Sequence, residues 1–421
     1  HPPLTSRQRA PPRPDSPRSA EYGRGMELGT PLQHVDVLIA GAGLSGIGMA
    51  CHLTRECPTR TYAIVEARQD LGGTWDLFRY PGIRSDSDMH TLGYSFKPWT
   101  QAKSIADGPS IRDYVNETAD EFDIRRHIRF DHKVQTASWD STQSHWVLTS
   151  NLSDGSTTKI SGDFLFMCGG YYSYDDPHRP EFPGESRYQG QVLHPQFWPE
   201  DLDYEGKKVI VIGSGATAMT IVPSMTQKGA QVTMVQRSPT YVVSRPAEDK
   251  IANTLRKWLP EKWAYAITRL KNTTLSGYFY RQTRSQPAKT KAQLLGMATA
   301  NLGEEMVKAH FTPSYNPWDQ RMCLIPDGDL YQSINEGSAQ VVTGDIETWT
   351  EQGLVMKDGT EVTGDIIVTA TGITLTVMSG IAFDLDGTAI NFPSIRIYSQ
   401  AAKARALLRT LPDWSTWPLR L

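Results

Sequence analysis

The chain has 421 residues, with 43 Lys or Arg against 46 Asp or Glu, a formal net charge of −3 and a pI near 6.4. That length carries two or three domains and a large core, and the near-neutral balance offers no basic surface for nucleic acid. Its four cysteines, Cys51, Cys57, Cys168 and Cys323, form no C-x-x-C pair, which suits a reducing cytosol and argues against both a disulfide framework and a metal site of the zinc type.

No apolar run approaches the ~18 residues that span a bilayer. Residues 1–25 are rich in Pro and Arg, have no apolar periodicity and lack the apolar centre of a signal peptide. They read as a disordered arm, with native translation expected to start at Met26. Residues 26–180 read as a first nucleotide-binding unit. A buried strand at 35–40 runs into Gly41-Ala42-Gly43-Leu44-Ser45-Gly46, a helix follows to about Arg55, and a second strand at 61–65 ends on Glu66. Such glycines let a backbone approach a pyrophosphate, and the helix N-terminus stabilises its charge. Glu66 can accept hydrogen bonds from a ribose diol and would repel a 2′-phosphate, so this site is expected to hold FAD. Residues 72–88 bring Gly, Pro, Arg and Asp together as a loop. Residues 128–166 alternate apolar and polar and read as a small antiparallel sheet inserted in this unit. The strand at 164–167 then ends at Cys168-Gly169-Gly170.

A second unit is expected over 181–330. Its fingerprint is Gly213-Ser214-Gly215-Ala216-Thr217-Ala218, after a strand at 207–212. Here the second strand ends in Gln236-Arg237-Ser238 where the first unit has an acid. An Arg and a hydroxyl suit a 2′-phosphate, hence NADPH. Residues 253–302 read as several helices, with Trp258, Trp263 and Tyr265 taken as core. The same basic amphipathic stretch also admits peripheral association with a membrane surface. Residues 315–321 form a Pro-rich loop ending at Arg321. A hairpin around Asp358-Gly359 and a buried strand at 366–369, followed by Ala370-Thr371-Gly372, are assigned to a return of the first unit over 331–392.

Between the fingerprints lies Tyr188-Gln189-Gly190-Gln191-Val192-Leu193-His194-Pro195-Gln196-Phe197-Trp198-Pro199. This stretch resembles the F-x-G-x-x-x-H-x-x-x-W-P fingerprint of the Baeyer–Villiger monooxygenases, the class B flavoprotein monooxygenases. The matches are Gly190, His194, Trp198 and Pro199, and the departure is Tyr188 in place of Phe. Residues 72–88, 236–241 and 315–321 resemble the family as well, and the likeness runs from about Val35 to about Phe392. It implies an α/β fold with two dinucleotide-binding, Rossmann-like domains, an FAD domain with the antiparallel insert and an NADP domain with the helical insert. It implies FAD contacts at Thr74, Trp75, Asp76 and Leu77, with Arg84, Ser85 and Asp86 near the flavin ring and nicotinamide, and Val134 beside the adenine.

The implied activity is NADPH- and O2-dependent conversion of ketones to esters or lactones through a C4a-peroxyflavin. Arg321 would be the catalytic guanidinium, oriented by Asp86, and worth ~3 kcal/mol by analogy with an oxyanion-hole donor. His194 would couple NADP binding to the flavin. From spacing alone, Arg321 reads better as a loop arginine paired with Asp319, and Asp86 as a turn cap. Two rivals stand beside this: oxygenation of sulfur or nitrogen compounds by the same enzyme, and a truncated, non-catalytic remnant. The substrate is expected to be a small ketone or sulfur compound, and the oligomeric state is left open. Beyond Phe392 the family pattern stops, and 393–421 reads as a non-matching tail from a frame slip or truncation. On that reading the strand at 366–369 lacks a neighbour at one edge, and FAD is expected to bind poorly.

Overall fold

The computed structural model describes residues 32–390. The expected arm at 1–25 and tail at 393–421 lie outside the described residues. The apolar run at the start forms β1 (Gln33–Ala40), followed by α1 (Leu44–Glu56) and β2 (Tyr62–Val65). β2 is buried at every residue and lies parallel to β1, as a strand covered on both faces requires. Two short helices follow, α2 (Thr74–Leu77) and α3 (Met89–Leu92), then α4 (Gly108–Glu121). Asp107 caps α4 by accepting from the Ser110 amide, and its apolar face packs on α1. Next come β3 (Ile128–Arg129), β4 (Lys133–Asp140), β5 (His145–Asn151) and β6 (Thr157–Met167). The alternating segment is antiparallel, as its period predicts, and it is continuous with the first sheet. β6 turns parallel to β1, so parallel and antiparallel strands share one sheet. β7 (Tyr172–Pro177) then leaves this unit.

β8 (Gln191–Leu193) opens the second sheet, followed by β9 (Lys208–Ile212), α5 (Ala216–Thr226) and β10 (Gln231–Gln236). β11 (Tyr241–Arg245) leads into the helical insert: α6 (Lys250–Trp258), α7 (Glu261–Ser285), α8 (Pro287–Leu302) and α9 (Glu304–His310). Tyr265 is half-buried, but Trp258 and Trp263 are exposed, so two of the three aromatics expected in the core are not there. β12 (Met322–Pro326) pairs parallel with β11, and α10 (Asp329–Asn335) and β13 (Ala339–Thr343) follow. The expected hairpin is present within a small sheet of β14 (Ile346–Trp349), β15 (Gly353–Met356) and β16 (Glu361–Thr363).

β17 (Ile366–Thr369) corrects the domain boundary. It was assigned to the first unit, but it lies in the second sheet between β9 and β8, parallel to both. All four of its residues are buried, and its ladders to β9 and β8 leave no bare edge over Ile366–Val368. The signal is ambiguous in sequence because an all-apolar strand fits the centre of either sheet. The return comes later. β18 (Ile373–Leu375) pairs antiparallel with β7, and β19 (Ala382–Leu385) joins the first sheet parallel to β4, with β20 (Thr388–Ala389) as its hairpin partner. The β7–β18 pair is therefore the two-stranded connector between the units. No helix among the described residues is long and apolar enough to cross a membrane.

Candidate functional site: two uncapped helix ends and the loop between them

Both fingerprints sit at strand-to-helix turns whose geometry depends on glycine. Gly41 has φ +105° and Gly213 φ +141°, where a side chain would be strained. A Cβ at Gly46 would lie 1.9 Å from the Gly41 carbonyl oxygen, and one at Gly213 2.3 Å from that of Ala370. The helices they open, α1 and α5, start at Gly43 and Gly215 with no side-chain cap. Each therefore presents first-turn amides and the positive end of its dipole to the space in front. Ser45 and Ala216, in those first turns, are exposed. A Cβ at Gly215 would meet nothing within 4 Å. Two uncapped, glycine-lined helix ends fit two pyrophosphates.

In the first unit Glu66 is buried at 5% exposure. It accepts the Ala42 amide at 2.7 Å and the Arg68 amide at 2.9 Å. Burial raises its pKa, and those two backbone bonds oppose the rise. The His132 amide donates to the Glu66 carbonyl, which brings Val134, two residues on, to the same end of the sheet. The 72–77 loop lies over the fingerprint: the Gly72 amide donates to Ala42, and a Cβ at Gly73 would lie 3.0 Å from the Gly43 Cα. Thr74 and Trp75 are half-buried and Leu77 is buried. Asp76 is engaged by neighbouring protein groups. Its carboxylate is 5% exposed and is taken up by Arg68 at 2.7 Å and Arg79 at 2.6 Å, so it fixes the loop.

The same loop then crosses to the second unit. A Cβ at Gly82, whose φ is +75°, would lie 1.7 Å from Ser224 Oγ of α5. The Tyr80 hydroxyl reaches Thr217 in the second fingerprint, and burial pushes that phenol up to about 12. Ser85 is buried and donates from its hydroxyl to the Ser87 carbonyl. Arg84 donates to Asp329 of α10 at 2.5 Å and to the Met219 carbonyl of α5 at 3.5 Å. Its guanidinium is thus spent on the second unit, and Asp329 is a site residue the sequence reading missed, since a lone Asp at a helix start carries no signal. Asp86 is exposed at the surface of the loop, yet neighbouring protein partly desolvates its carboxyl. That desolvation raises its pKa, and Arg84 pulls it down.

Arg321 directly precedes β12, and the register of β12 against β11 puts it beside Thr240. Its Nε donates to Thr240 Oγ1 at 2.7 Å, and its Nη2 to Ser214 Oγ at 3.1 Å and Ser238 Oγ at 3.2 Å. Asp86 does not orient it: no ion pair joins them among the described residues, and Asp319 pairs instead with Arg284. Both lie near the buried thiol of Cys323, which Asp86 pushes up and Arg321 pulls down. Ser214, Ser238 and Arg321, with exposed Arg237, make a cationic, hydroxyl-lined corner at the second fingerprint.

The linking stretch meets the connector. Tyr188 donates from its hydroxyl to the Gly364 carbonyl at 2.9 Å, so the departure from Phe adds a bond. A Cβ at Gly190 would lie 2.5 Å from the Asp365 carbonyl oxygen, which accounts for glycine there. His194 Nδ1 accepts the Gln196 amide, while Nε2 is buried without a well-aligned partner. Burial lowers its pKa, opposed by the backbone of Gly372 and His178 nearby. Gln196 donates to the Ser173 and Tyr174 carbonyls at 2.9 and 2.8 Å, pinning the stretch to β7, and Trp198 is buried in the second core.

A flavin-binding monooxygenase-like family model matches residues 104–379, and an NAD(P)-binding Rossmann-like domain model matches residues 39–107. The chain belongs to the flavin-binding monooxygenase-like family. The FAD-containing monooxygenase EthA of Mycobacterium tuberculosis is 48% identical over 368 residues, which is 87% of this chain and 75% of EthA. The probable FAD-binding monooxygenase AlmA of Acinetobacter baylyi is 45% identical over 87% of this chain and 74% of its own. Among solved structures, an oxidised steroid monooxygenase bound to NADP has a TM-score of 0.69 and 27% identity, covering 83% of this chain and 74% of that one. This monooxygenase therefore has the two-dinucleotide α/β fold that its paired fingerprints imply.

Proposed function

We propose that the protein converts ketones to esters or lactones: ketone, O2, NADPH and a proton give ester, NADP+ and water. FAD, reduced by NADPH, supplies the activation of dioxygen. The chain binds and orients. The turn Gly41–Gly46 and α1 hold the FAD pyrophosphate, Glu66 its ribose, and Thr74, Trp75 and Leu77 lie along it. The turn Gly213–Ala218 and α5 hold NADPH, with Arg237 and Ser238 for the 2′-phosphate. Arg321 offers a fixed positive charge to the oxyanion developing on the substrate carbonyl, a contribution of ~3 kcal/mol.

The observation that carries this reading is the single loop 72–86, packed on the first fingerprint at one end and on α5 at the other. On this reading the loop carries Asp86 toward the meeting point of the two nucleotides, and Arg321 approaches it from the second fingerprint. One specific observation favours oxygenation at sulfur or nitrogen as the second reading. Arg321 is held by three hydroxyls of the second fingerprint corner, and electrophilic oxygen transfer needs no guanidinium. The test is Arg321→Ala, with ketone and sulfide conversion measured against NADPH consumption. Loss of ester with NADPH still consumed supports the ketone reading. Unchanged ester formation removes Arg321 from the chemistry, and sulfoxide without any ester in the unaltered protein selects the second reading.

A further inference from the structure

We propose that the helical insert is a peripheral docking surface for an anionic lipid bilayer. Residues 250–302 hold ten Lys or Arg against one acid, Glu261, in a chain whose net charge is −3. Five of these cations, Lys250, Lys257, Lys262, Arg281 and Lys289, are exposed and make no ion pair among the described residues. The same elements expose large apolar side chains. Trp258 is 82% exposed at the end of α6, and Trp263 is 64% exposed at the start of α7, so the two flank one turn. Ile267 and Leu270 continue from Trp263 at spacings of four and three, which sets the three on one face of α7.

Single exposed apolar residues are ordinary, but two tryptophans beside unpaired lysines at one helical turn are the composition of an interfacial anchor. The helix that follows the turn is tied down. Arg269 donates to the His90 and Thr91 carbonyls, Asn272 to Asp88, and Lys271 pairs with Asp249. The bonds of Arg269 and Asn272 fix α7 to the first unit, the Lys271 pair ties it to the start of α6, and the face carrying Trp263 is left outward. A preformed anchor loses little conformational freedom on docking. The unpaired cations select a negative partner, and flat aromatic rings suit the headgroup level of a bilayer more than a second copy of the same basic surface.

The test is flotation of the full chain with vesicles of phosphatidylcholine alone or mixed with phosphatidylglycerol. Flotation with the mixed vesicles and loss in high salt are expected, because each cation near an anionic surface raises partitioning about fivefold. Lys257→Glu with Lys262→Glu should lower the bound fraction more than tenfold, and Trp258→Ser with Trp263→Ser should do so at low salt as well. These positions are exposed, and melting temperature and nucleotide binding check that the variants fold. Folded protein that ignores the mixed vesicles overturns the proposal, as do tryptophan variants that float like the parent. Concentration-dependent self-association abolished by the same variants, without flotation, assigns the face to a second copy and overturns it too.

Discussion

Asp329→Asn tests whether the buried pair with Arg84 holds the two units in register. The pair is 2.5 Å long, with side chains 10% and 14% exposed. Burial raises the Asp329 pKa more than Arg84 lowers it, so charging this pair in the fold is costly and its value is positional. Asn keeps the shape but leaves Arg84 charged and unpaired, its Nε already without a partner. That defect costs ~3 kcal/mol, the low end for a buried pair because each side chain keeps some contact with solvent. In a domain of this size the loss lowers Tm by about 6–12 °C. Arg84→Met with Asp329→Leu removes both charges and should restore most of the Tm, yet slow flavin reduction by NADPH, because the loop loses its tie to α10. Thermal melts and anaerobic reduction traces read the two effects separately. Equal Tm losses in the single and double variants, or normal reduction in the double variant, would refute the reasoning.

Three further outcomes are expected. Arg237→Ala should raise the KM for NADPH at least tenfold while leaving that for NADH nearly unchanged, since one charge-assisted phosphate contact is worth about 1.5–3 kcal/mol; steady-state kinetics with both donors checks it. Asp86 holds its proton above its ordinary 3.8 in the fold, so stability falls as pH rises from that value through the folded pKa. Asp86→Asn should flatten that part of a Tm-against-pH curve, and an unchanged curve would mean the carboxyl titrates as if in water. Tyr188→Phe should cost about 1 kcal/mol, one hydrogen bond to a carbonyl, whereas Gly190→Ala should abolish soluble folding because the Asp365 carbonyl cannot yield; chemical denaturation and soluble yield compare them.

Several features were legible in the sequence because they are local. The paired glycine turns, the acid at Glu66 and the basic end at Arg237 each follow from a strand, a turn and a helix contiguous in the chain, where φ and close approach dictate glycine. The three-residue spacing within each fingerprint needs no distant contact to be read. Tertiary structure decided what depends on long-range pairing. An all-apolar strand such as Ile366–Thr369 fits either sheet, and only its neighbours β8 and β9 settle that it belongs to the second. Asp76 and Arg84 carry the charge of ligands in sequence, but Arg68, Arg79 and Asp329 claim them, and the last lies 245 positions from Arg84. Arg321 is oriented by hydroxyls from Thr240 and Ser214 because β12 runs beside β11. Trp263 has a core-like spacing, yet faces outward because α7 is bound to the body through its other side, and Trp258 at the end of α6 is exposed beside it. In each case periodicity names the character of a face, while burial and pairing depend on which other surface arrives there.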